Sequence, residues 1–253
     1  MGNRLSGKTA LVTGATSNIG RAIAVAFAQE GAQVAASGRD RRRGEAVVAE
    51  IAAAGGRAEF VPAALDGSRT ASVALAERAS AALGGRVDVL VNAAGIYPGA
   101  ITSATEEATF DEVYGVNVKA PYFLTAALAP AMATRGDGAI INLGSWIARL
   151  GVPVGSLYSS TKGAIETLTR AWAAEFGPSG VRVNAISPGV VSPDPGEPGP
   201  AASMMHGTPA GSVGTPEAVA HAAVYLAGDE ARFVHGTVID VDGGRVGVAV
   251  FAA

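Results

Sequence analysis

Tyr158 and Lys162 stand four residues apart in SLYSSTKGAIETL. The stretch has the pattern of a helix, so both side chains lie on one face and can meet the same ligand. A phenol titrates near 10 when unperturbed, and an ammonium one turn away lowers that value, as acid/base work near neutrality requires. Taken alone, the same spacing also describes an exposed aromatic–cation pair. Ser145 closes the strand candidate INLGS, and a side chain at such a strand end points into the crevice where ligands bind in open α/β sheets. A third signal lies near the start, where a strand, then TGATSNIG, then an amphipathic stretch follow one another. There Gly14 and Gly20 allow a tight turn and a close approach of Ser17, Asn18 and Ile19 to a pyrophosphate at a helix N-terminus. The spacing is not that of G-x-G-x-x-G, and a strand-to-helix turn without a ligand is the other reading.

Elements that could position these residues alternate along the chain. Strand candidates are Thr9 to Thr13, Gln33 to Ser37, Ala58 to Val61, Val87 to Asn92, Ala139 to Leu143, Arg182 to Ile186 and Thr237 to Val241. Between them lie helix candidates near Ile19 to Glu30, Arg42 to Ala54, Arg69 to Leu83, Thr109 to Thr134, Ser156 to Phe176 and Pro216 to Leu226. Repeated βα units with right-handed crossovers predict an α/β fold, a single doubly wound Rossmann-type domain over residues 1–253 with a seven-stranded parallel sheet. The exception is 192–208, SPDPGEPGPAASMMHGT, whose four prolines break regular structure and predict a mobile loop at the substrate end.

Composition bounds the rest. Charged residues make up 16% and the net charge is −3, which leaves no electrostatic footprint for nucleic acid or an anionic membrane. With no cysteine, thiolate metal sites, disulfides and cysteine nucleophiles are excluded. No metal site is expected. Neither a signal segment nor an apolar membrane span is seen, so the expectation is a cytoplasmic protein acting on a small molecule.

The loop TGATSNIG resembles the TGxxxGxG loop of the short-chain dehydrogenase/reductase family, with Thr13, Gly14 and Gly20 matching and Asn18 where the family usually has glycine. Asn is the non-glycine residue that best tolerates positive φ. The resemblance continues through Asp66, NAAG at Asn92, Ala93 and Gly95, then Asn117, Ser145, Tyr158 and Lys162, SPG at Pro188 and Gly189, and VDGG near the end. Its 3-oxoacyl-carrier-protein reductase branch is similar. The resemblance implies hydride transfer between a nicotinamide cofactor and a ketone or secondary alcohol by an Asn117–Ser145–Tyr158–Lys162 tetrad. Ser145 would hydrogen-bond the substrate oxygen, Tyr158 would pass the proton, and Lys162 would bind the nicotinamide ribose and tune Tyr158. Asp66, Asn92, Ala93, Gly95, Pro188, Gly189 and Val191 would contact the cofactor, and the chain would form a homotetramer through the helices around Asn117 and Tyr158 and through its apolar tail VGVAVFAA. Asn is a poor former inside a long helix, so a kink or an internal water site is expected at Asn117.

The second strand ends ASGRDRRR, with Gly38 where NAD-preferring members usually carry an acid. Arg39 follows, and its forked guanidinium suits a 2′-phosphate, so NADP(H) is favoured over NAD(H). Asp40 as partner of a 2′-hydroxyl is the competing reading. A threonine common after SPG is replaced by Ser192 and Pro193. Tyr97, Trp146, Met204 and Met205 are candidate pocket walls, with ordinary packing as the alternative. No G-x-S-x-G elbow surrounds Ser145, which argues against a serine hydrolase. A dinucleotide-sensing protein that kept the fold and lost the chemistry is the other alternative.

Overall fold

A computed structural model describes residues 2–99, 101–153, 155–194 and 199–249. Seven strands, β1 (Thr9–Val12), β2 (Gln33–Gly38), β3 (Arg57–Pro62), β4 (Val89–Asn92), β5 (Gly138–Leu143), β6 (Val181–Pro188) and β7 (Val238–Val241), form one parallel sheet in the order β3-β2-β1-β4-β5-β6-β7. The pairing register sets Leu11 beside Ala35 and Leu90, and Asn92 beside Asn142. Strand order reverses between β1 and β4, so the crevice for a ligand opens beyond the carboxyl ends of those two strands.

Strand alternation explains why helices must cover both faces. Val12, Val91 and Ile141 point to a core shared with Ile23 and Phe27 of α1 (Asn18–Gln29), Ile51 of α2 (Arg41–Ala53) and Val219 of α7 (Pro216–Ala227). Their neighbours Leu11, Leu90 and Ile140 point the other way, to Leu75 of α3 (Arg69–Ala82), Leu124 of α5 (Ala120–Arg135) and Trp172 of α6 (Ser156–Phe176). Neither side of the central strands meets water, so their sequences read as unbroken apolar runs.

The single helix expected over Thr109 to Thr134 is instead two. α4 (Glu107–Tyr114) passes through a π-helical turn, Gly115–Lys119, into α5. Pro121 has no N–H for the Asn117 carbonyl four residues back and its ring crowds that oxygen, so the turn widens there. The kink expected at Asn117 is thus present. The loop expected at 192–208 is flanked by an isolated bridge between Val191 and Gly214 and contains a 3-10 helix, Pro200–Met205; residues 195–198 of that loop, like 250–253 of the apolar tail, lie outside the described residues. Among the described residues no helix is long and apolar enough to cross a membrane, and no group of His, Asp or Glu could hold a metal ion.

Candidate functional site

β1 ends at the crevice and the chain turns into α1. Gly14 takes φ 65°, and a Cβ there would stand 2.9 Å from the Cα and N of Ala94, so backbone from β1 and β4 can touch only because the side chain is missing. Gly20 packs against the Gly14 carbonyl, which a Cβ would meet at 2.2 Å. Asn18, at φ 45°, is the one non-glycine residue with positive φ among the described residues. Asn18 thus takes the left-handed conformation that Asn tolerates best among non-glycine residues. Asp40, Ser68 and Thr215 cap α2, α3 and α7 with side-chain hydrogen bonds, whereas Ser17 at the start of α1 makes none. The first N–H groups of α1 are therefore left for a ligand, and anions favour that end of the helix dipole.

Thr13 pins the far wall. Its hydroxyl donates to Val91 O (3.1 Å) and accepts from the N–H groups of Ala93 (3.0 Å) and Ala94 (3.1 Å). Asn117 pins the next segment: its Nδ2 donates to Ile96 O (3.0 Å) and to Thr161 Oγ1 (3.2 Å), and its Oδ1 accepts from Ile96 N–H (2.9 Å).

One cleft of about 430 Å³ runs along these elements. At one end it is lined by Gly14, Ser17, Asn18, Ile19, Gly20, Ser37 and Arg39, in the middle by Ala93, Gly95 and Ile96, and at the other end by Tyr97, Ser145, Tyr158, Lys162, Pro188 and Gly189. Asn117 stands behind this wall rather than in it. Asn92 is buried, donating to Asn142 Oδ1 at 2.9 Å, and Val191 lies in the bridge to Gly214. The exposed Asp66 accepts from Ser68 N–H (2.8 Å), which holds its carboxyl below the ordinary range; Leu65 lines the cleft in its stead. Thr16, Ala63, Leu65 and Val116 are lining residues that motif reading passed over, and only Thr16, inside the glycine loop, carried a signal.

At the end lined by Ser145, Tyr158 and Lys162, burial dominates. The Tyr158 hydroxyl is pushed up to about 12 by burial; the Ser145 hydroxyl pulls it down, and Tyr97 adds to the rise. Lys162 is buried, donates to Leu143 O (2.8 Å) and sits with Nζ 5.4 Å from the centre of the Tyr158 ring. Burial brings its ammonium down to about 8. The spacing rule anticipated a lowered phenol. In the folded chain the loss of water around Tyr158 outweighs the neighbouring cation.

Tyr97 packs edge-on against Tyr158, with ring centres 4.9 Å apart, while Trp146 is buried and turned toward Arg245. Met204 is exposed, Met205 is buried, and the Ser192 hydroxyl is engaged with the backbone of Asp194. Glu166, one turn beyond Lys162, was not singled out by motif. It is buried and raised by that burial, with Oε1 3.5 Å from Arg149 Nε, and Arg149 is also paired with Asp240.

At the glycine-loop end of the cleft, Arg39 is exposed and makes no ion pair among the described residues. Asp40 is committed elsewhere: it accepts from Arg43 N–H (3.0 Å) and Arg43 Nε (2.7 Å) as the cap of α2. A Cβ at Gly38 would meet the Thr16 methyl at 2.5 Å, so the chain leaves no room for an acid there without moving Thr16.

Comparison with known proteins agrees with this geometry. The family described as enoyl-(acyl carrier protein) reductase matches residues 14–245. The 3-oxoacyl-[acyl-carrier-protein] reductase of Thermotoga maritima is 34% identical over 246 residues, covering 96% of this chain and 99% of that protein. A solved short-chain dehydrogenase/reductase family protein shares 44% identity at a TM-score of 0.87, covering 97% of this chain and all of that one. A blue fluorescent protein from a metagenomic library, solved in complex with NADPH, shares 31% identity at a TM-score of 0.89 over 97% of this chain and 100% of that chain. With a seven-stranded parallel sheet, a glycine loop at its switch point and relatives along almost its whole length, the chain belongs to the short-chain dehydrogenase/reductase family of nicotinamide-dependent oxidoreductases.

Proposed function

We propose that the protein is an NADP(H)-preferring oxidoreductase that interconverts a ketone and a secondary alcohol. The observation that carries this reading is convergence: Ser145, Tyr158 and Lys162 line one end of the same cleft whose other end holds the glycine loop and Arg39. The residues fit a nicotinamide dinucleotide, because the uncapped start of α1 and the close approach of Gly14 to Ala94 leave a cradle of N–H groups for a pyrophosphate. Arg39 would hold the 2′-phosphate, since it is unpaired while Asp40 is bound to Arg43. Gly95, Pro188, Gly189 and the Lys162 ammonium would hold the nicotinamide riboside.

When bound, the nicotinamide supplies the hydride in reduction and accepts it in oxidation. Tyr158, neutral at physiological pH, gives its phenolic proton to the carbonyl oxygen as negative charge develops there. Ser145 donates a second hydrogen bond to the same oxygen. Lys162 keeps a positive charge below the phenol and eases the loss of that proton. Asn117 acts by holding Ile96, and with it the wall that ends in Tyr97. The exposed Phe110 of α4 and Tyr122 of α5 support assembly as a homotetramer through these helices.

Parallel equilibrium titrations with NADPH and NADH test the cofactor. A strong NADPH preference is expected, and Arg39→Ala should weaken NADPH far more than NADH; equal losses refute the phosphate role. Tyr158→Phe should retain the cofactor affinity and lose at least about a hundredfold in turnover. Near-normal turnover would sink the tetrad.

A further inference from the structure

Arg245 is a cation without an acid. Its guanidinium carbon lies 5.2 Å from the centre of the Trp146 ring, and its buried Nε has no hydrogen-bond partner. No carboxylate pairs with it among the described residues. Asp242 spends one oxygen on Gly244 N–H (2.9 Å) and the other on Val246 N–H (2.8 Å), which fixes the turn that carries Arg245. Stacking on Trp a guanidinium that keeps its hydrogen-bond donors unused holds it ready for an anion at little further entropic cost.

This turn lies beside the cleft. Trp146 directly follows Ser145 in the chain. Gly189, which lines the cleft, lies so close to Asp242 that a Cβ there would stand 2.8 Å from the Asp242 Cα. On the outer side, Arg245 lines a second cavity of about 310 Å³ together with Leu150, Val246 and Val248. That cavity offers aliphatic walls and one cation. Such a setting suits a substrate whose far end is an oxyanion on a short carbon chain.

We propose that Arg245, seated on Trp146, is the subsite for a carboxylate or phosphate of the substrate, remote from the carbon that is oxidised or reduced. The substrate class is then an anionic hydroxy or oxo compound. This deepens the oxidoreductase reading and rests on it for the identity of the reacting group.

The test is a series of unbranched oxo acids of increasing length, each paired with its primary amide, with matching oxoalkyl phosphates to tell a carboxylate subsite from a phosphate one. In the wild type, kcat/KM for at least one acid or phosphate should exceed that of its neutral partner by roughly tenfold or more, the scale of a charge-assisted hydrogen bond. Arg245→Met should bring that ratio close to one, and Arg245→Lys, which keeps the charge but loses the fork, should retain part of it. A ratio near one throughout the wild-type series, or one that Arg245→Met leaves intact, overturns the proposal. So does a variant whose ratio is intact while sedimentation shows a lost assembly, since Arg245 would then serve an interface. If no carbonyl compound is turned over at all, the oxidoreductase reading fails by itself. The subsite is then read from thermal melts in inorganic phosphate: a phosphate-dependent rise in Tm kept by Arg39→Ala and lost by Arg245→Met supports it, and equal rises in all three proteins overturn it.

Discussion

Asn117→Ala removes the side chain that joins the cleft wall to α6, and its cost can be worked from the bonds. Asn117 is 1% exposed. Its truncation leaves Ile96 O and Ile96 N–H without the partners they now have at 3.0 Å and 2.9 Å. Thr161 suffers less, because its hydroxyl still donates to Tyr158 O at 2.7 Å. An orphaned buried polar group costs about 1–3 kcal/mol; with two such groups, one of them partly re-satisfied by water at the cleft, the variant should lose about 2–4 kcal/mol of stability. Activity should fall by more than stability explains, because Ile96 and Tyr97 line the cleft and Tyr97 packs on Tyr158. Urea unfolding measures the first quantity, and kcat/KM at a temperature where the variant is fully folded measures the second. A loss under about 0.5 kcal/mol, or unchanged kcat/KM in a variant destabilised as expected, refutes the argument that Asn117 works by positioning this wall.

Further outcomes follow from the same contacts. Lys162 lies below its ordinary value of 10.5, at about 8. Reductive kcat/KM should therefore fall as pH rises through about 8 and the cation is lost, while a profile flat to pH 10 would deny Lys162 its role. Folding stability should move the other way in that window: between about 8 and 10.5 the unfolded chain holds a proton that the folded chain has released, so this group makes stability rise with pH, which urea midpoints would register. Arg182 is buried under the end of α7 and donates to Leu226 O (2.6 Å), Ala231 O (3.2 Å) and Gly228 O (3.2 Å). Arg182→Met should cost about 3 kcal/mol by orphaning these carbonyls at a helix C-terminus, read from the same unfolding curves with cofactor affinity unchanged.

Much of this architecture was legible because α/β sheets write themselves plainly. All seven strands fall near the positions expected, most plainly β1, β4 and β5, which are covered on both faces and read as apolar runs. The glycine loop and the residues at strand ends were legible because backbone geometry demands them: Gly14 must be glycine to pass Ala94, and Asn18 is the side chain that bears φ 45° at least cost. The break between α4 and α5 was legible only as a kink at Asn117 inside one helix, because the poor helix propensity of Asn marks the place while the widening of the turn depends on Pro121 four residues on. Motifs likewise cannot say which side of a wall a residue faces. Asn92, Asn117 and Ser145 carry equally strong signals, yet only Ser145 faces the cleft, while the two asparagines brace it from behind. Arg245 carries no motif at all, and its meaning depends on contacts that only the folded chain shows: its stacking on Trp146 and an Nε without a partner.

The electrostatics of the pair Tyr158 and Lys162 show what spacing alone leaves out. A separation of four residues brings the two groups together, and in water the cation would lower the phenol. Burial charges a separate cost to each ionised form, which raises the phenol to about 12 and lowers the ammonium to about 8. Removing the proton from a phenol of pKa 12 at pH 7 costs roughly 7 kcal/mol. As a donor, the neutral phenol bears none of this cost, because the developing alkoxide is a far stronger base and Ser145 stands ready to share its charge. As a base, Tyr158 needs the Lys162 cation fully in place and further positive charge beside it. In the proposed reaction these two side chains would serve reduction at neutral pH as they stand, and oxidation would gain as rising pH lowers the cost of ionising Tyr158, over a range where Lys162 is itself losing its charge. Those opposed dependences define a narrow optimum for oxidation, and no such optimum constrains reduction on the acid side of about 8.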